Sequence, residues 1–170
     1  MKHFSLLLWL LLPGMCGATS VMPKSLTNLV AEADHVVIGK VTVVDMIDDE
    51  GHQVTNLSAR TGPDLPNTIR LNVTVQTNGV LFTTATQVPQ NLTIPLWPAW
   101  HHTLEQIKGI EEGQTRIFLL KGSSFGFAYV AGCSRELSER PEIERLLKEI
   151  KVQNNAFLET GDPASSQFER

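Results

Sequence analysis

The sequence predicts a mainly β, α+β fold: one β domain with a helix flanking it near each end of the chain. Three observations predict it. Ile69, Leu71, Val73 and Val75 alternate with Arg70, Asn72, Thr74 and Gln76, so a strand there has one apolar face and one wet face. Residues 35–46 form a β-branched run long enough for a bent strand. Leu26, Leu29, Val30 and Ala33 near the start, and Ile143, Leu146, Leu147 and Ile150 near the end, recur at helical spacing.

The chain opens with Met1-Lys2-His3, an apolar run over residues 5–12 and a Pro13-Gly14 break. That pattern predicts a secretory signal peptide over residues 1–18. Cys16-Gly17-Ala18 offers small side chains at both positions a signal peptidase reads, which favours cleavage after Ala18. The alternative is a lipoprotein acylated at Cys16, for which Pro13-Gly14-Met15 is a poor lead-in. The apolar run is too short for a stable membrane helix and no second run follows, so no membrane span is expected in the mature chain. The expected location is periplasmic or secreted.

Residues 25–34 predict a short helix behind a Ser25 cap. In the strand that follows, Gly39 predicts a bulge or sharp bend. Residues 47–66 are polar and read as a long loop or irregular hairpin. After the alternating strand, Asn78-Gly79 is a turn signal. Residues 87–97 form a weaker strand that Pro89 and Pro95 assign to an edge. Residues 104–110 read as a short helix or turn ended by Gly109. Residues 115–121 and 127–132 predict a hairpin joined by Gly122-Ser123-Ser124-Phe125-Gly126. Pro141 suits the first turn of the closing helix. The period is lost from Gln153, so the expected domain spans residues 19–152, with a flexible tail over 153–170.

Composition is that of a globular chain, 42% apolar and 19% charged. Loss of Lys2 with the leader takes the formal charge from −4 to −5. Mild acidity without clustered Lys and Arg argues against nucleic acid and against an anionic membrane surface. With Cys16 removed, Cys133 has no partner for an internal disulfide, and stability falls to the hydrophobic core.

The run Leu29-Val30-Ala31-Glu32-Ala33-Asp34-His35-Val36-Val37-Ile38-Gly39-Lys40-Val41, the alternating strand, and Thr115-Arg116-Ile117-Phe118-Leu119-Leu120 with its hairpin resemble small exported bacterial proteins of uncharacterised role. Their layout is similar to the OB-like barrel of netrin modules and tissue metalloproteinase inhibitors. The resemblance covers residues 25–150 and implies a five-stranded OB-like barrel. Inhibitors of that type chelate the target's zinc through a disulfide-bonded cysteine at the mature N-terminus. Thr19 or a neighbour stands there in this chain, so the resemblance implies the fold and not the inhibitory mechanism.

The segment Trp97-Pro98-Ala99-Trp100-His101-His102 holds two of the three tryptophans and two of the five histidines. Two readings stand: an exposed recognition loop whose rings supply contact area to a ligand, or two indoles that cap an open end of the barrel. His101-His102 also invites a metal reading, with His52 and Asp48-Asp49-Glu50 as further donors. Adjacent side chains in an extended chain point to opposite sides, and the spacings of structural metal sites are absent, so no metal or other cofactor is expected.

Cys133 lies at the end of the second hairpin strand. A nucleophile there would need a neighbouring base and a lowered pKa, and Arg135 alone is nearby in sequence, so a buried, inert thiol is expected. Gly-x-Ser-x-Gly, phosphate-loop, dinucleotide and His-Glu-x-x-His motifs are absent. Asn56-Leu57-Ser58, Asn72-Val73-Thr74 and Asn91-Leu92-Thr93 have the form of glycosylation acceptors, and in a bacterial chain they read as ordinary polar positions.

The functional expectation is an exported, non-catalytic binding module for a protein, glycan or small ligand of the cell envelope. Its contact surface is Trp97, Trp100, His101 and His102 with the loop over residues 47–66. The alternatives are an inhibitor or accessory subunit docking on an extracytoplasmic enzyme, and an enzyme built on Cys133 and a histidine.

Overall fold

In a computed structural model, residues 22–97 and 100–159 are described; the expected leader with Cys16 and Ala18, the pair Pro98-Ala99, and residues from 160 onward lie outside them. The element order is α1 (Leu26–Glu32), β1 (His35–Ile47), β2 (Thr68–Thr83), β3 (Asn91–Pro95), α2 (Leu104–Glu111), β4 (Thr115–Lys121), β5 (Gly126–Phe127), β6 (Ser134–Arg135) and α3 (Arg140–Glu159), with a 3-10 turn at Leu137–Glu139. The strands form one antiparallel sheet in the order β3-β2-β1-β4-β5, with β6 also on β4.

The sheet is not closed. Its end strands β3 and β5 approach within 8 Å between Cα atoms yet share no ladder. Leu96 and Phe127, at those two ends, pack on the same core cluster, so side chains rather than backbones fill that side. The sheet has six strands rather than the expected five, because the expected strand over residues 127–132 is split. Phe127 pairs with Leu120 and Ser134 with Phe118, and Ala128 and Cys133 both bond to the Leu119 backbone, while residues 129–132 between them leave the sheet as a loop.

Burial explains β1. Val36 and Ile38 face a cluster covered by α1 and α3, and Val37 faces the opposite cluster with Val41. Burial on both faces is what an unbroken apolar run such as Val36-Val37-Ile38 encodes. After Val41 the inward positions change parity to Val44 and Met46, and the register with β2 shifts between Val41 and Val43. One extra residue flips every later side chain to the other face, so this bulge keeps the second half of β1 in register with the core. The ion pair of Lys108 and Glu112 steadies it: Val44 N–H donates to Glu112 at 3.0 Å and Lys108 donates to Val44 O at 3.0 Å.

Asn78-Gly79 is not a turn; β2 runs through it. Val37 pairs with Val80 and Gly39 with Val75, so residues 76–79 form a bulge opposite Ile38. A Cβ on Gly79 would lie 2.4 Å from Ile38 O, and one on Gly39 2.3 Å from Val73 Cγ1. Two glycines let the strands press together where the sheet bends.

The helices follow the sequence closely. Ser25 caps α1 by accepting from Asn28 N at 3.2 Å. Thr103 and Gln106 form a reciprocal capping box at α2, which runs past Gly109 to Glu111. The closing helix α3 lays Ile143, Leu146 and Leu147 on the sheet and extends to Glu159, beyond the Gln153 where its apolar period ends. No helix among the described residues is long and apolar enough to cross a membrane.

Candidate functional site: an aromatic cleft at the open side of the sheet

Trp97 lies two residues past the end of β3, after Leu96, so the strand carries its indole to the open side of the sheet. The segment after it is tied down by the long loop. Thr61, 4% exposed, donates its hydroxyl to Trp100 O at 3.0 Å, and Thr61 N–H donates to His102 O at 2.9 Å. Leu104 N–H to Ala59 O and Glu105 N–H to Leu57 O continue the contact into α2. The loop over residues 47–66 and the tryptophan segment therefore form one structure, with Thr61 as its internal peg.

Facing the tryptophans is the loop over residues 128–133. Its root is Cys133, 3% exposed, whose Sγ accepts from Tyr129 N–H at 3.1 Å and donates to Tyr129 O at 3.3 Å. Gly132 adopts φ +75°, which closes the loop back toward β6. Tyr129 is fixed from the other side as well. Its hydroxyl donates to Met22 O at 2.9 Å, and Lys24, paired with Glu32, sits 4.3 Å above its ring.

Between the two segments lies a cleft of about 150 Å³, lined by Leu96, Trp97, Trp100, His102, Phe127, Tyr129, Val130, Ala131, Gly132, Cys133 and Ser134. Trp97 is 52% and Trp100 39% exposed, and neither belongs to a core cluster. Of the four residues singled out from sequence, Trp97, Trp100 and His102 line the cleft. His101 does not: its Nδ1 donates to Thr61 O at 3.2 Å and its ring lies over Gly62. The adjacent histidines serve different places, as the geometry of an extended chain requires.

His52 makes its contacts inside its own turn, 3.5 Å from Asp48 and 3.3 Å from Glu50. The backbone N–H of His52 donates to Asp48 and draws that carboxyl below its usual range. Among the described residues no group of three or more His, Cys, Asp or Glu side chains is placed to hold a metal ion.

The cleft does bring a histidine and a cysteine to one place, His102 and Cys133. Burial pushes the Cys133 thiol up from its ordinary value, against the smaller downward pull of backbone hydrogen bonds. A reactive cysteine needs the reverse, a thiolate favoured by positive charge and partial exposure. The described lining offers ring faces from Trp97, Trp100 and Tyr129 and small residues from Ala131 to Ser134.

Sequence reasoning missed Tyr129 and the loop that carries it, having placed residues 127–132 in a strand. The signal was present in Gly126-Phe127-Ala128-Tyr129-Val130-Ala131-Gly132, where two glycines bracket the chain's one tyrosine. The chain matches no protein-family model and no curated protein.

Proposed function

We propose that this chain is an exported, non-catalytic binding module whose ligand surface is the Trp97–Tyr129 cleft. The observation that carries the reading is the exposure of two neighbouring indoles beside a walled cleft, in a protein whose core closes without them. Indoles that capped a barrel end would be buried, and buried aromatics stabilise while exposed ones mark contact surfaces. The leader motif, Met1-Lys2-His3 before an apolar run and a small-residue clip site, supports export to the periplasm or the medium.

The frame is read as an OB-like barrel left open on one side. The approach of β3 and β5 and the sharp bend at Gly39 and Gly79 support that reading. The open side is where the cleft lies.

Envelope extract passed over immobilised protein tests the function, with Trp100→Ala as the paired control. A ligand retained by the wild type and lost from a Trp100→Ala protein that keeps most of its melting temperature is the expected result. Equal retention by both would remove the cleft from the binding surface.

A further inference from the structure

We infer that the cleft takes a single uncharged aromatic ring in preference to a sugar, an inference that rests on the cleft being the binding surface proposed above. Size is the first argument. An open cleft of about 150 Å³ has room for one ring and not for a larger group. Trp97, Trp100 and Tyr129 offer ring faces and edges to such a guest, and offset or edge-on stacking adds to simple burial.

Charge is the second argument. None of the described residues lining the cleft is Asp, Glu, Lys or Arg. An ionised ligand group would give up part of its hydration there and gain no counter-charge from the described lining, so complementarity favours a neutral guest.

Hydrogen bonding separates a ring from a sugar. The Tyr129 hydroxyl commits its proton to Met22 O and the Cys133 thiol its proton to Tyr129 O, so neither is left to donate to a guest. Ser134 Oγ is closed off from solvent. The His102 ring and the indole N–H groups of Trp97 and Trp100 remain, fewer partners than a pyranose has hydroxyls. A pyranose carries a hydroxyl on most of its carbons, and burying those without partners opposes binding at each one. An aromatic ring asks only for contact.

The test uses tryptophan emission from the full chain carrying Trp9→Phe, so that Trp97 and Trp100 are its only indoles. The probes are benzyl alcohol, N-acetylphenylalanine amide, benzoate and N-acetylglucosamine. Saturable emission shifts with the two neutral aromatic probes, binding of benzoate and N-acetylglucosamine weaker by about tenfold or more, and loss of the shifts in Val130→Arg are the expected results. Tighter binding of the amide assigns the ring to a polypeptide side chain, and tighter binding of benzyl alcohol assigns it to a free small molecule. A shift with N-acetylglucosamine and none with the aromatics overturns the ring while leaving the cleft as a binding surface. Silence with all four probes overturns the inference too, and the reading beneath it is then decided separately by capture on wild type against Trp100→Ala.

Discussion

Thr61 holds Trp100 by its backbone: the buried hydroxyl donates to the Trp100 carbonyl at 3.0 Å, leaving the indole itself free to face the cleft. Position and exposure are thereby separated. The long loop fixes where the ring starts without burying it.

Replacing that hydroxyl by a methyl group isolates the peg. Thr61→Val keeps the volume, leaves Trp100 O and His102 N without their partner, and is expected to cost about 1–2 kcal/mol. Urea midpoints measure the cost, and acrylamide quenching of Trp100 is expected to rise as the segment loosens. No change in either would mean that the hydroxyl does not position the loop.

The bend makes a graded prediction. Gly39→Ala drives a methyl into Val73 Cγ1, a side chain that can be shortened, whereas Gly79→Ala drives one into the Ile38 carbonyl, which cannot. Both are expected to destabilise by about 2–4 kcal/mol. Adding Val73→Ala should recover part of the loss at Gly39 and none at Gly79. Equal rescue at both positions would contradict the packing described for the bend.

Much of this frame was legible in the sequence, and the physical reason is period. The β2 alternation, the Ser25 cap and the α3 stripe each repeat a local rule, and each is found where it was read. The failures are non-local. Asn78-Gly79 has the residues of a turn, and only its contact with Ile38 O makes it a bulge. Residues 129–132 leave the sheet because Leu119 receives Ala128 N–H at its carbonyl and donates its own N–H to Cys133 O, not to a nearer residue. Trp97, Trp100 and His102 were identifiable from their clustering, while Tyr129 meets them only through folding.

Acid titration addresses the outer face of the sheet. Burial alone would raise Asp45, but hydrogen bonds from Arg70 at 2.7 Å and Asn72 at 2.9 Å, with the charge of Arg70, hold it below its ordinary value. A folded value below the unfolded one means the contribution is fully present above the unfolded pKa of about 4 and is lost as pH falls through the folded value. Asp45→Asn is therefore expected to lower stability near neutrality and flatten the decline between about pH 5 and about pH 2. Parallel acid limbs for the two proteins would contradict this.

Cys133 gives the simplest chemical check. With burial holding its thiol above the ordinary range, iodoacetamide labelling of the native protein at pH 7 should be slow, and unfolding in urea should release it. Rapid stoichiometric labelling of the folded chain would return Cys133 to the list of reactive groups.

The melting temperature of Trp97→Ala/Trp100→Ala, measured beside Phe118→Ala, tests the central claim most directly. Phe118 is fully buried in the core, and its truncation is expected to cost about 3–5 kcal/mol. Removing both half-exposed indoles should lower the melting temperature by clearly less than that single change does. A fall from the double variant as large as that from Phe118→Ala would make the indoles part of the core, and the cleft would no longer stand as a surface built for binding.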